Sequence, residues 1–178
     1  EQNDQTEARR NNLDKMRELV GNVYPNKFAR TSITSVEDSI SSIKSFEPIH
    51  RILPVLAEGE RPAPEVKAAL NEELKGLGTI RTSGRLTTPP RGNFVHLTNG
   101  KDKLQIYCKK ATFALIKNDA ENSLDEENAW AAFGLLDHGD FIGVEGYLFL
   151  TNTGELSIHV EKLQFLAKAM LPMPDKMH

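Results

Sequence analysis

The sequence predicts an all-β core with added helices: a small five-stranded barrel preceded by an N-terminal helical region. From residue 77 onward, apolar and polar residues alternate with the period of half-buried strands, whereas helical spacing dominates before it. Three strands, a helix and two more strands follow in that order. The last strand changes parity partway, which is typical of a strand that bulges and bends around a closed barrel. This order is that of an OB-fold, a Greek-key barrel with a helix between strands three and four.

The N-terminal region, residues 1–76, is predicted to contain helices and an extended segment. Residues 5–22 form a helix because apolar residues recur there at helical spacing, and the chain is extended from Pro25 to Thr34. The pattern Ser35-x-x-Asp38 predicts a capping box that opens a short helix. A further helix begins at Ala63-Pro64-Glu65. The apolar faces consist of Leu13, Met16, Leu19 and Val20 in the first helix and of Val66, Ala69, Leu70 and Leu74 in the last.

The barrel domain is predicted to span residues 77–170. Turn signals at Arg91-Gly92 and Asn99-Gly100 separate the first three strands, and Ser123-x-x-Glu126 caps a helix that runs to about residue 136. A bulge is expected near Glu161-Lys162, where the apolar parity changes. The predicted strands are residues 80–87, 93–97, 103–109, 140–150 and 155–168.

Strand parity separates an inner from an outer face of this barrel. The inner positions are apolar, and Gly146 among them allows tight curling of the fourth strand. Cys108 takes the inner parity, so a buried thiol is expected rather than a nucleophile. The opposite parity places a polar and aromatic set outside on the first three strands: Arg81, Arg85, Phe94, His96, Gln105 and Tyr107.

The charge distribution supports a nucleic-acid partner for that outer face. The net charge of −3 argues weakly against phosphate binding, but residues 81–118 carry eight basic residues against one acid, Asp102. Aromatic rings stack on bases, and Arg and Gln side chains hydrogen-bond unpaired base edges. The alternatives are an unevenly charged solvated surface, or Phe94 and Tyr107 covered by the N-terminal helix or a loop.

Other functional classes lack support in the sequence. No apolar run reaches the roughly 20 residues of a membrane span, and the polar start does not resemble a secretory signal. One cysteine cannot form an internal disulfide, which fits a cytoplasmic location. The sequence shows neither a glycine-rich phosphate loop nor metal-ligand spacing, and His138 and His159 have no convincing catalytic partner. We therefore expect no catalytic residue and no metal site in these residues.

Several motifs resemble one family across the N-terminal helix and residues 78–178. The resemblance is to the N-terminal anticodon-binding domain of class II lysyl-tRNA synthetases. Residues 36–78 and 111–128 match that family poorly, so no function is transferred to them. The matching motifs are Tyr24-Pro25-Asn26-Lys27-Phe28, Gly84-Arg85, Phe94-Val95-x-Leu97, Leu104-Gln105-Ile106-Tyr107, Gly139-Asp140-x-Ile142-Gly143-x-x-Gly146, Thr153-Gly154-Glu155-Leu156-Ser157-Ile158 and Leu171-Pro172-x-Pro174-Asp175-Lys176.

The resemblance implies roles for individual residues. Phe94 is expected to stack on the middle uridine of the anticodon, while Arg85 and Gln105 read its edge. Glu155 is expected to contact a neighbouring anticodon base, although its position at a strand start leaves its direction open. The N-terminal helix is expected near the anticodon stem. Its basic residues Arg9, Arg10 and Arg17 are expected to make peripheral RNA contacts. Further peripheral contacts are expected from Arg91, because of its charge, and from His96 and Tyr107, because of their outward parity, and the resemblance implies no role for these three.

The resemblance also implies a larger protein. Residues 171–178 are expected to begin a linker to a catalytic domain, so the chain would bind the tRNA(Lys) anticodon stem-loop without aminoacylating it. The parent ligase would use ATP and magnesium and form a cytoplasmic homodimer; this fragment would need no cofactor and be a monomer. Two alternatives remain: a sequence-tolerant single-strand binder, which would not need Glu155, and a protein-interaction module, for which the basic segment would be incidental.

Overall fold

The computed structural model describes residues 2–25 and 27–170. Glu1, Asn26 of the Tyr24–Phe28 motif, and the predicted linker with its Leu171–Lys176 motif lie outside the described residues. No helix in the described ranges is long and apolar enough to cross a membrane. In chain order, the elements are α1 (Gln2–Val20), α2 (Ile40–Ser45), α3 (Glu47–Ile52), α4 (Pro64–Gly76), β1 (Ile80–Leu86), β2 (Phe94–Thr98), β3 (Lys103–Tyr107), β4 (Ala114–Leu115), α5 (Glu126–Gly134), β5 (Phe141–Leu150) and β6 (Leu156–Ala167).

Five strands close into the predicted barrel. β1 pairs antiparallel with β2 and β5, β2 with β3, and β5 with β6. The parallel pairing of β3 with β6, in which Gln105 lies opposite Ser157, completes the ring. The short β4 pairs with β6 outside this ring. Together with α5 between β3 and β5, this topology confirms the OB-fold.

The interior of the barrel follows the predicted parity. The inward side chains of all five strands are buried, among them Leu97, Ile106 and Val144. Cys108 is completely buried, and this burial raises the pKa of its thiol, as expected for an inert core cysteine. Phe133 of α5 is also buried in this core. The alternation in the sequence therefore identified the core correctly.

The predicted bulge lies in β6 at Glu161. Glu145 of β5 is opposite Lys162 and Gly146 is opposite Val160, so Glu161 has no partner in the ladder. A Cβ atom on Gly146 would lie 2.0 Å from the backbone oxygen of His159. Only glycine permits this close approach of β5 to β6, as its inner position suggested.

The predicted capping box of α2 is wrong by four residues. Ser39 is the N-cap, its hydroxyl accepts a hydrogen bond from the Ser42 amide, and Ser42 completes the box. Ser35 instead has a φ of 71° within the preceding turn. The Asp38 carboxylate organises this turn, because it accepts hydrogen bonds from the hydroxyls of Thr31 and Thr34 and from the amides of Ile33 and Thr34.

Two further helix predictions need correction. α5 is capped by Asp125, whose carboxylate accepts from the Asn128 amide at 2.8 Å, and not by Ser123. In α4, Leu74 is buried and Leu70 packs partly against the core, whereas Val66 is half exposed. Helical spacing alone overestimated the buried face, because α4 contacts the barrel along a narrow strip. The short α3 was not predicted.

α1 packs against α5 through the predicted apolar face. Arg9 reinforces this contact, since its guanidinium donates to the backbone oxygens of His138 and Ala169. Asn12 donates to the Asp137 carboxylate at 3.0 Å. α1 is therefore joined to the loop before β5 and to the end of β6.

Candidate nucleic-acid interface

The outer side chains of three adjacent strands form one surface, called here the reading face. It consists of Phe94 and His96 of β2, Gln105 and Tyr107 of β3, and His159 of β6; Ser157 of β6 has the same parity but is buried. Phe94 is opposite Tyr107 and His96 is opposite Gln105, while Gln105 and Tyr107 pair in turn with Ser157 and His159. Phe94 and Tyr107 remain partly exposed, so neither is buried in the core.

Aromatic rings form a continuous row across this face. The Phe94 and Tyr107 centroids are 4.9 Å apart, and that of Tyr107 is 5.1 Å from His159. His159 stacks on Tyr147 of β5 at 4.8 Å, and Phe149 lies 5.7 Å from Tyr107. Phe94 begins the row on β2. Sequence reasoning missed Tyr147, Phe149 and His159, because their outward parity becomes informative only once β6 is known to pair with β3 and β5 with β6.

His159 is enclosed by the other rings of the row. Its Nδ1 atom is buried and has no hydrogen-bond partner among the described residues. Burial lowers the pKa of the imidazole, which favours its neutral form. His159 therefore contributes a flat, uncharged surface to the row.

Gln105 is held in a defined orientation beside this row. Its side-chain oxygen accepts a hydrogen bond of 2.8 Å from the Ser157 hydroxyl. The amide nitrogen has no partner within the described part of the chain. A hydrogen-bond donor is consequently oriented at the outer surface, as edge recognition of a base requires.

Glu155 reaches the same surface from the turn before β6. Its Oε2 atom lies 2.6 Å from Nε2 of His96, which settles the side-chain direction that parity left open. The hydrogen bond from His96 lowers the pKa of the Glu155 carboxyl, with a smaller contribution from Lys44, and this outweighs the effect of burial. The carboxylate is therefore ionised at neutral pH and can accept a hydrogen bond.

Two of the candidate arginines, Arg85 and Arg91, lie beside opposite ends of β2. Arg85 is opposite Thr98, and its guanidinium donates to the Gly139 oxygen at 2.9 Å and lies 5.3 Å from the Phe141 ring centroid. Arg91 forms a backbone bridge with Phe94. Its exposed side chain has no partner among the residues described. The structure thus brings Arg91, rather than Arg85, next to the predicted stacking residue.

The remaining basic candidates differ in availability. Arg81 forms an ion pair of 2.7 Å with Glu145 and lies over the Phe28 ring, so it anchors the segment before α2. Arg10 and Arg17 are exposed on α1, as predicted, but Arg9 is directed towards the barrel. Within the described ranges, no group of His, Cys, Asp and Glu side chains is arranged to hold a metal ion.

Comparisons with known proteins agree with this geometry. Residues 80–166 match the sequence model of the tRNA anticodon-binding family, which is described as an OB-fold nucleic acid binding domain. A lysine–tRNA ligase of Streptococcus suis is 40% identical over 111 residues, which cover 60% of this chain and 20% of the relative. Ligases of the same name from Lactococcus lactis and Coxiella burnetii are 31% and 28% identical over all of this chain and 29% of their own lengths. The chain thus spans less than a third of these relatives.

Proposed function

Because this chain belongs to the OB-fold tRNA anticodon-binding domains of lysine–tRNA ligases, we propose that it binds the anticodon stem-loop of tRNA(Lys) and reads its bases on the reading face. One observation carries this assignment. Phe94, partly exposed at the β2 end of the aromatic row, lies on the same surface as an oriented donor, Gln105, and an ionised acceptor, Glu155. Unpaired bases are recognised by this combination of stacking and edge hydrogen bonds.

The chemistry suits uracil, whose edge carries carbonyl acceptors and one N–H donor. In our proposal Phe94 stacks on the middle base, and the amide nitrogen of Gln105 donates to a carbonyl oxygen of that base. Glu155 accepts the N–H of a neighbouring base. A carboxylate repels phosphates, so its presence on this surface favours base recognition over general strand binding.

Basic side chains around the reading face would hold the RNA backbone. Lys101, Lys103 and Lys109 are exposed, and the described residues provide no ion-pair partner for them. Arg91 is available beside Phe94. Such contacts supply affinity that depends on salt but not on base identity. Arg10 and Arg17 of α1 would contact the stem.

The activity of the longer protein is also proposed by relationship to the ligases. In this proposal, the chain acts within a cytoplasmic, homodimeric enzyme that attaches lysine to tRNA(Lys) with ATP and magnesium. The described residues offer no cluster suited to magnesium, so ATP and the metal would bind elsewhere in that enzyme. The 178-residue chain by itself would be a monomer without ligase activity.

Binding of the 178-residue chain to labelled anticodon hairpins tests this function. Fluorescence anisotropy at fixed salt compares a hairpin with a UUU anticodon with one of altered loop sequence. We expect a preference for UUU, and Phe94→Ala should weaken UUU binding by about 1–3 kcal/mol without unfolding the barrel. Lys101→Ala, the control, should weaken both hairpins equally. Equal affinity of the unchanged chain for both would instead favour a sequence-tolerant binder, and no binding would favour a protein partner.

A further inference from the structure

A groove lies between α4 and the barrel, adjoining Phe94. Its volume is about 360 Å³, within the range of roughly 300–1,000 Å³ found for small-ligand sites. One wall is formed by Lys67 and Asn71 of α4. The floor and the opposite wall include Phe94, Tyr107, Phe149 and Asn152. We call this feature the α4 groove.

The α4 wall is fixed to the barrel by Asn71. The side-chain oxygen of Asn71 accepts from the Leu150 amide at 2.6 Å, and its side-chain nitrogen donates to the Leu150 oxygen at 3.3 Å. This double contact reproduces the pairing that another strand would make with β5. One turn further along α4, the Lys75 ammonium lies 4.7 Å from the Tyr147 ring centroid. The groove is therefore preformed.

The rim of the groove carries a positive charge without a counterion. Lys67 donates a hydrogen bond to the neutral side chain of Asn152. No carboxylate pairs with Lys67 in the part of the chain that the structure describes. An ammonium has three donors, so others remain for an anion. Below it, Phe149 and Tyr107 provide partly exposed aromatic surface.

We propose that the α4 groove binds a second unpaired nucleotide, next to the one that stacks on Phe94. Its base would lie against Phe149 and Tyr107, and its phosphate would contact Lys67. Aromatic surface combined with a cation is the pairing that single-stranded RNA requires. This inference rests on the proposed anticodon-binding function. It gives an RNA-binding role to α4, to which the sequence analysis assigned no function.

The test combines protein variants with hairpins that lack one base. Each position of the UUU hairpin loop is replaced in turn by an abasic nucleotide, and anisotropy is measured with the unchanged chain, Phe94→Ala, Phe149→Leu and Lys67→Met. Lys67→Met keeps the aliphatic stem and removes the ammonium group, with its charge and its hydrogen bond to Asn152. Lys162→Met is the matched control, because this exposed lysine pairs with Glu145 and belongs neither to the groove nor to the proposed RNA contacts. Thermal denaturation of each variant verifies folding.

We expect Phe149→Leu to weaken binding about fivefold or more, the lower end of base stacking. In Phe149→Leu, one loop position should lose its sensitivity, so that an abasic nucleotide there no longer weakens binding further. That position should be adjacent in the loop to the one that loses its sensitivity in Phe94→Ala. Lys67→Met should reduce the slope of log affinity against log salt by about one. Lys162→Met should change neither the salt slope nor the abasic profile.

The outcomes separate the two proposals. If the hairpin binds in a Phe94-dependent manner but Lys67→Met and a folded Phe149→Leu behave like the unchanged chain, the α4 groove has no role in binding and only this inference is overturned. If Phe149→Leu destabilises the barrel, the role of the groove is decided by Lys67→Met alone, through its affinity and salt slope. A failure of the unchanged chain to bind any hairpin would overturn both the groove and the anticodon-binding function.

Discussion

The Nε2 atom of His96 lies 2.6 Å from Oε2 of Glu155, although the two residues are 59 positions apart in the chain. His96 projects from β2, and Glu155 precedes β6; closure of the barrel through β3 brings them together. The contact gives the Glu155 carboxylate one orientation on the reading face. His96 therefore positions the acceptor that we propose for an anticodon base.

The first prediction concerns this pair. His96→Ala should reduce the preference for the UUU hairpin by roughly fivefold, because an unpositioned carboxylate loses about 1 kcal/mol of hydrogen-bond energy. The pKa of Glu155, lowered mainly by the hydrogen bond from His96, should rise towards its ordinary value in the variant. NMR titration of the carboxyl group measures this shift. His96→Gln, which keeps a donor, should restore part of the preference; an unchanged preference in His96→Ala would remove the positioning role.

The second prediction ranks two arginines. Arg91→Ala should lower hairpin affinity by roughly 1 kcal/mol or more, the energy of one good base or phosphate contact. Arg85→Ala should have a smaller effect, because its guanidinium is engaged by the Gly139 oxygen and lies over Phe141. Anisotropy with the same two hairpins compares them. The opposite ranking would support the original assignment of Arg85 as the base-reading arginine.

The third prediction concerns Asp38 and stability. Burial would raise the pKa of Asp38, but hydrogen bonds from Thr31, Thr34 and the backbone outweigh it and lower the pKa below its usual value. Asp38 therefore binds a proton more readily in the unfolded chain than in the folded protein. Its ionised carboxylate stabilises the fold above a pH of about 4, and this contribution to the free energy of unfolding disappears as the pH falls through the folded-state pKa.

Asp38→Asn should therefore lower the free energy of unfolding by about 2 kcal/mol at neutral pH, the scale of hydrogen bonds to a charged group. Below pH of about 4 the difference from the unchanged protein should narrow. Urea denaturation at a series of pH values measures both effects. A difference that stays constant across that range would show that ionisation of Asp38 does not contribute.

The fourth prediction concerns the buried cation at the end of β6. Lys168 is buried and pairs with Asp137 and, at 3.0 Å, with the fully buried Asp140. Lys168→Met should destabilise the protein by about 3 kcal/mol, because it leaves a buried carboxylate unpaired.

Burial already raises the pKa of Asp140 despite the nearby lysine. Combining Lys168→Met with Asp140→Asn should thus recover part of the lost stability, which thermal and urea denaturation can measure. A double variant no more stable than Lys168→Met would indicate that packing of the lysine stem, rather than charge, accounts for the loss.

The sequence by itself determined the order of the strands, their inner and outer faces and the bulge at Glu161. Alternation is a local property, because successive side chains of a strand point to opposite faces. It therefore placed Phe94, Gln105 and Tyr107 outside before any pairing was known. It also identified Gly146 as a position of tight curvature, which the approach of His159 explains.

Only the tertiary structure decided which outer residues are neighbours. The aromatic row joins Tyr107 to Phe149 and His159. The His96–Glu155 contact joins β2 to the turn before β6, and α4 places Lys67 in the same groove as Phe94. These contacts depend on strand register and on the docking of a helix, which are set by packing between distant segments. The caps of α2 and α5 were misplaced for a related reason: several Ser and Asp residues near a helix start can serve as caps, and the surrounding turn selects one.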